Sequence, residues 1–372
     1  YTLTAPNEVD DGGSITLRLT LQAGYSATDN FKVQANDADV QMTLQNGVYT
    51  GTVSNISEDL VITVAGVADI TAPTGEIKVK ENSWKSFINK ITFGIFCKDQ
   101  YDVTITAADG GSGVNSIMYH FTDTAISQDE IQNVKDWEPY QSFSLTDDGK
   151  YIVYAKITDN SGNITYISTD GMVVDKTAPG IPTINTNGYT DGQWTTGSVT
   201  VTVSGSSALS GIAKYQYSAD GGKSWHDMTA TESTQADGSE PASVLEAQLT
   251  ITEDTNTKYV FRAVSNAGNE GTVSVPIVVK IDTKAPAIAV SGDTDTVKTS
   301  DTAKITVKAG ISGVKAVEIS KDGGEFVNIT ASYKDGYPVT ANGNYTVRVT
   351  DNAGRTAEDT IAYTNIDTAM PI

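Results

Sequence analysis

Self-similarity constrains this chain more than any other property. The pattern Asp-x-x-x-Pro occurs as Asp69-Ile-Thr-Ala-Pro73, Asp175-Lys-Thr-Ala-Pro179, Asp282-Thr-Lys-Ala-Pro286 and Asp367-Thr-Ala-Met-Pro371. Before the last three prolines lies a second pattern: Asp159-Asn160-Ser161-Gly162-Asn163, Ser265-Asn266-Ala267-Gly268-Asn269 and Asp351-Asn352-Ala353-Gly354-Arg355. A third landmark, Ser-Gly followed by Val or Ile, falls at Ser112-Gly113-Val114, Ser210-Gly211-Ile212 and Ser312-Gly313-Val314. Landmarks in one fixed order at this period mark copies of one domain-sized unit. We therefore expect copies over residues 70–178, 179–282 and 283–372, the last ending in the start of a further junction. Residues 1–69 lack the pattern and form a smaller module.

The copies read as β structure. Asn-Ala-Gly supplies a residue able to adopt positive φ and follows alternating runs such as Tyr345-Thr-Val-Arg-Val-Thr. A second strand after it, such as 273–281, makes a hairpin. Tyr151, Tyr259 and Tyr345 open the strand before this turn, where a tyrosine corner would sit. In the first copy the tyrosine is two residues further from its turn, a shift that keeps it on the same face. Helical periodicity is nearly absent, and only the segment 126–137 could make a turn or two. In residues 1–69, Asn46-Gly47 is a strong hairpin turn between alternating flanks. The expected fold class is all-β: tandem immunoglobulin-like sandwiches in an elongated array behind a smaller β module.

Charge narrows the partners. Acidic residues outnumber basic ones 46 to 25, a net of −21, and residues 1–69 alone carry −7. Such a surface repels phosphate backbones, so no nucleic-acid partner is expected. With 38% hydrophobic residues the chain can bury cores, yet no apolar run approaches the roughly 20 residues of a membrane helix. Residue 1 is Tyr and no signal peptide is visible, so the sequence reads as part of a longer chain. One cysteine, Cys97, and two distant histidines, His120 and His226, cannot assemble a zinc site or a disulfide framework. Cys97 lies in an apolar run, 91–97, and reads as a buried strand residue. Apolar packing must then replace the inter-sheet disulfide of an antibody-type domain.

The Asp-x-x-Ala-Pro start, the Ser-Gly-Val element and the closing Tyr-x-Val-x-Val-x-Asp-Asn-Ala-Gly resemble bacterial immunoglobulin-like repeats over residues 70–372. Residues 1–69, with Gly24-Tyr25 and Asn46-Gly47-Val-Tyr49, resemble another small bacterial surface repeat. Such repeats are strung along surface proteins, adhesins and large secreted glycan-active enzymes, chiefly of Gram-positive bacteria. The resemblance implies an extracellular, cell-surface or cell-wall location. It also implies a non-enzymatic stalk or spacer, monomeric, with adhesive contacts to an unknown glycan or host protein. The alternative is a carbohydrate- or protein-binding accessory region of a secreted glycan-degrading enzyme.

Several motifs carry chemistry elsewhere. Ser218-Ala-Asp220-Gly-Gly222-Lys-Ser224-Trp225 matches the Asp-box of sialidase propellers, but a propeller needs such a box in several blades. Only Ser320-Lys-Asp322-Gly-Gly324-Glu-Phe326 approximates a second, so a hairpin turn backed by an aromatic is expected. Trp84, Trp137, Trp194 and Trp225 read as packing residues, with exposed sugar-stacking rings the alternative. Asp10-Asp11 and Asp147-Asp148 precede Gly and read as turns, not as an acid/base pair. No catalytic residue and no cofactor is assigned. Acidic turns raise calcium, whose candidate ligands are Asp159, Asn160, Asn163 and Asp175; turn formation is the preferred reading.

Overall fold

A computed structural model describes residues 1–291, 298–299 and 303–367. Of the fourth Asp-x-x-x-Pro motif, Pro371 lies outside the described residues. The chain forms two compact units, Tyr1–Lys176 with Ala236–Pro241 and Thr177–Gln235 with Ala242–Ile372. The fold is all-β, as tandem sandwiches, relieved by a single 3₁₀ turn at Ile131–Asn133 among the described residues.

In the first unit, Gly13–Thr20 pairs with Thr2–Thr4 and with Val48–Ile56, which also pairs with Thr43–Gln45. Tyr25–Ala35, Ala38–Val40 and Ile62–Asp69 form a second sheet. Strict alternation along Gly13–Thr20 turns Ile15, Leu17 and Leu19 inward, where they meet Val33 and Ile56. Asn46 and Gly47 both hold positive φ (50° and 79°) in the two-residue turn before Val48.

The next sandwich sets the order Phe143–Leu145, Tyr101–Ala108, Thr74–Val79, Asn82–Trp84 against a larger sheet. That sheet runs Phe93–Cys97, Gly171–Val174, Gly149–Asp159, Val114–Thr122, Glu138–Pro139, with Ile164–Ser168 alongside Gly149–Asp159. The strand Gly149–Asp159 is buried on both faces. Val153, Ala155 and Ile157 point into the sandwich, while Ile152 and Tyr154 pack with Phe93, Ile131 and Val173 on the outer face. The segment containing Ile131 covers that face, and the backbone N–H of Ile126 donates to the Tyr154 hydroxyl at 2.8 Å.

The second unit repeats the plan twice. Val199–Ser204 and Ser243–Ile251 face Thr255–Ser265 and Ile212–Ser218 around Val201, Tyr215, Phe261 and Val279. Lys304–Lys308 faces Val314–Lys321, Gly343–Asp351 and Thr356–Tyr363 around Ile305, Val317, Val347 and Val349. A parallel edge pairing recurs: Phe93–Cys97 with Gly171–Val174, Trp194–Thr195 with Ile277–Ile281, and Lys298–Thr299 with Ile366–Asp367. The strand expected over 273–281 begins only at Ile277, because Pro276 has no N–H to enter a ladder. No helix among the described residues is long and apolar enough to cross a membrane.

Candidate functional site

In the first and third repeats all three sequence landmarks meet at one end. Asp69 accepts from the backbone N–H of Thr71 (2.9 Å) and, through its other oxygen, from that of Ser112 (2.7 Å). Asp282 repeats this with Lys284 (3.1 Å) and Ser312 (2.9 Å). The junction aspartate is thus tied to the Ser-Gly element of the repeat that follows it. The Asn of the closing turn completes the knot: Asn160 Nδ2 donates to the Ser112 carbonyl, Asn266 Nδ2 to that of Ser210, and Asn352 Nδ2 to that of Ser312. Gly113, Gly211 and Gly313 hold φ of 84°, 78° and 75°, which a β-carbon disfavours. A Cβ on Gly111 or Gly310 would collide with the carboxylate of Asp69 or Asp282.

The closing turn is sealed by its first residue. Asp159 Oδ1 accepts from the N–H groups of Ser161 and Asn163 at 2.9 and 2.8 Å. Asp351 Oδ1 accepts from Arg355 N, and in the middle repeat Ser265 Oγ accepts from Asn269 N. A hydroxyl and a carboxylate do the same work there, as expected of residues chosen for turns.

In the first repeat the knot gathers three carboxylates, with one oxygen each of Asp69, Asp109 and Asp159 within 4.8 Å of one another. Asp109 Oδ2 accepts from Gly111 N and Gly113 N, while its Oδ1 is buried without a protein partner. Hydrogen bonds from Thr71 and Ser112 hold the Asp69 carboxyl below the ordinary carboxylate range. Burial works against ionisation of Asp159, but donors from Asn163, Ser161 and Gly162 outweigh it and lower its pKa as well. The oxygen donors match calcium chemistry in kind. Six backbone N–H groups and the Asn163 amide satisfy every carboxylate oxygen of the three except Asp109 Oδ1, and we assign no metal.

Of the four sequence candidates, Asp159 is in the cluster and Asn163 borders it, its Nδ2 donating to Asp159 Oδ2 (2.7 Å) and to the Asp69 carbonyl. Asn160 turns its amide nitrogen to the carbonyls of Ser112 and Gly113. Asp175 is not brought to the cluster; it follows the Gly171–Val174 strand, and its N–H donates to the Cys97 carbonyl. Sequence reasoning missed Asp69 and Asp109 as members. The available signal was that Asp69 belongs to a landmark of its own.

The Asp-box closes on itself. Asp220 accepts from Ser218 Oγ, Ser224 Oγ and the N–H groups of Lys223 and Ser224, which hold its carboxyl far below the usual range. Trp225 behind it stacks on the Arg262 guanidinium at 4.1 Å, and Phe326 on Arg348 at 3.9 Å in the next repeat. The ring therefore packs on a cation rather than on the apolar core. Two expected tyrosine corners form, Tyr151 Oη to the Asp147 carbonyl and Tyr345 Oη to that of Ala341, both at 2.8 Å. Tyr259, the middle repeat's counterpart, packs its ring beside that of Tyr217 with centroids 6.2 Å apart. An aromatic array stands at the margin of the first sandwich: Tyr119 stacks on Phe143 at 4.3 Å, with Phe121 beside both and 44% exposed.

No protein family matches this sequence, and no curated protein is similar to it. Among solved structures, the chain is similar to the fibronectin(III)-like modules of Clostridium thermocellum CbhA. The identity is 14%, over 48% of this chain and 91% of that one, with a TM-score of 0.21. The FN1–FN3 domains of chicken CNTN1 match at 13% identity over 78% and 100%, TM-score 0.19. A region of a 1.5-MDa bacterial ice-binding adhesin matches at 11% over 96% and 91%, TM-score 0.24. At these values the likenesses say nothing about ligand or activity.

Proposed function

We propose that the chain is a non-enzymatic extracellular repeat region of a bacterial surface protein, serving as a semi-rigid spacer with adhesive contacts. One observation carries this reading. The residues that define the repeat are engaged in tying a junction aspartate to the Ser-Gly element of the sandwich that follows, at Asp69–Ser112 and again at Asp282–Ser312. A junction so tied, with proline fixing φ near −65° beyond it, resists bending in a way a Gly/Ser linker does not. Small-angle scattering in moderate salt tests the spacer. Four modules in line, each about 25–35 Å long at roughly 3.3 Å per residue, give a radius of gyration of about 35–43 Å. A single compact body of this length would have a radius near ~21 Å, and a value close to that would refute the spacer.

A second reading rests on the array of Tyr119, Phe121 and Phe143. Phe121 is exposed beside the half-buried, stacked rings of Tyr119 and Phe143 and offers a face to the apolar side of a sugar, and the Tyr119 hydroxyl donates to Glu138 at 2.7 Å beside it. This supports a carbohydrate-binding accessory role. A glycan array should then return hits that Phe121→Ala abolishes, and a blank array removes the reading.

A further inference from the structure

The single cysteine is not a plain core residue. Cys97 is 4% exposed and its sulfur receives two N–H donors, the Lys80 ammonium at 2.8 Å and the Asp99 backbone at 3.3 Å. The Lys80 distance is what an oxygen acceptor would give, although sulfur is the larger atom. Lys80 opens the two-residue turn between Thr74–Val79 and Asn82–Trp84, with φ of 49°. From that tip its side chain folds back over the Tyr101 ring, 4.9 Å from the centroid, to reach the sulfur. In a chain with 46 acidic residues a surface lysine has carboxylates to choose from, yet among the described residues Lys80 forms no ion pair. Ordering so long a side chain costs rotamer freedom, so its place against the sulfur is a specified one.

We propose that Lys80 and Cys97 are the site of a covalent, redox-reversible N–O–S bridge that staples the two sheets of the first repeat. Lys80 lies on the hairpin of one sheet and Cys97 on a strand of the other, so the bridge spans the gap that a disulfide closes in antibody-type domains. The oxidant is dioxygen, abundant outside the cell. The Lys80 amine, after releasing its extra proton to solvent, loses one N–H bond and the Cys97 thiol loses its S–H bond. An N–O and an S–O bond form around one oxygen atom, the O–O bond breaks, and the second oxygen leaves as water with both hydrogens. Nitrogen and sulfur each give up two electrons, and the two oxygen atoms take up four. Dithiol reductant returns amine, thiol and water. The closed loop from 80 to 97 restrains the unfolded chain as a disulfide would.

The full chain, purified under dithiothreitol and then held in air-saturated buffer, tests this by intact mass and by thiol titration after denaturation. The expected product is heavier by about 14 Da, one oxygen gained and two hydrogens lost, distinct from sulfenic or sulfinic acid. Titratable thiol should fall from one per chain to near zero and return on reduction. Tryptic digestion should fail after Lys80 and yield peptides joined at 80 and 97. Lys80→Arg keeps the positive charge and should keep its thiol through the same exposure. The wild-type melting temperature in air should exceed that under dithiothreitol, a difference that Lys80→Arg abolishes. A thiol that stays fully titratable in the wild type overturns the proposal. So does a product of sulfinic-acid mass, or a Cys97-linked dimer, formed equally in wild type and Lys80→Arg.

Discussion

At the end of the first repeat Asp69 receives the Ser112 amide and Asp159 seals the turn; at the end of the third Asp282 receives Ser312 and Asp351 seals the turn. Ala309 stands where the first repeat has Asp109, three residues before the serine, and the middle repeat has Ser207. The knot therefore survives without the third carboxylate. What is common to both ends is hydrogen bonding between landmarks, and what differs is charge. Invariant contacts belong to holding the fold; the extra carboxylate of the first repeat is a local addition laid over it.

The largest way to break the likeness is through the corners. Tyr345 is almost wholly buried, so Tyr345→Ala should cost about 3–5 kcal/mol from the cavity and the lost bond, whereas Tyr345→Phe should cost about 0.5–1.5. Tyr151, only half-buried, should respond less to Ala. Urea melts followed through each repeat would measure both, and equal effects would mean that Tyr345 is not the anchor of its repeat. Next in size, Asp282→Ala leaves the Ser312 and Lys284 amides without their acceptor. We expect about 2–3 kcal/mol and rapid hydrogen exchange at Ser312, with the same loss of protection at Ser112 in Asp69→Ala.

Acid should act on both ends. Asp69, Asp159 and Asp282 all have lowered pKa values in the fold, so their contribution is complete above the unfolded carboxylate value and is lost as pH falls through the lower folded one. Melting temperature should change little from pH 7 to about 5 and fall steeply below about pH 4. A steep loss already between pH 7 and 5 would point to other groups. The smallest effect belongs to Asp351→Ser, which copies Ser265. Asp351 Oδ2 is buried with no protein partner, so the change should cost less than about 1 kcal/mol. A large loss would show that the two turn-sealing residues are not interchangeable.

Much of this was legible in the sequence, because turns and alternating strands are local. Asn46-Gly47, the Asn-Ala-Gly turns and the corner tyrosines are positions where a few neighbouring residues decide the backbone. The strand Gly149–Asp159 was not legible as doubly buried, since its run of Ile152, Val153, Tyr154 and Ala155 reads as a core strand whatever covers its outer face. The parallel edge pairings escaped because parallel partners are distant in sequence and announced by no turn. Asp109 escaped because an aspartate before Gly-Gly looks like any turn residue until the fold brings Asp69 and Asp159 to it.

The bond from Asp282 to Ser312 has a consequence for how such chains are cut and recombined. A fragment that begins at residue 283, the natural place to open a repeat by its motif, leaves behind the acceptor its own serine requires. The piece that travels intact starts one residue earlier and carries its predecessor's last aspartate as its first part. Gene segments exchanged between such proteins would then keep their stability only when the crossover falls upstream of that aspartate, and arrays grown by duplication would inherit each joint together with the repeat that follows it.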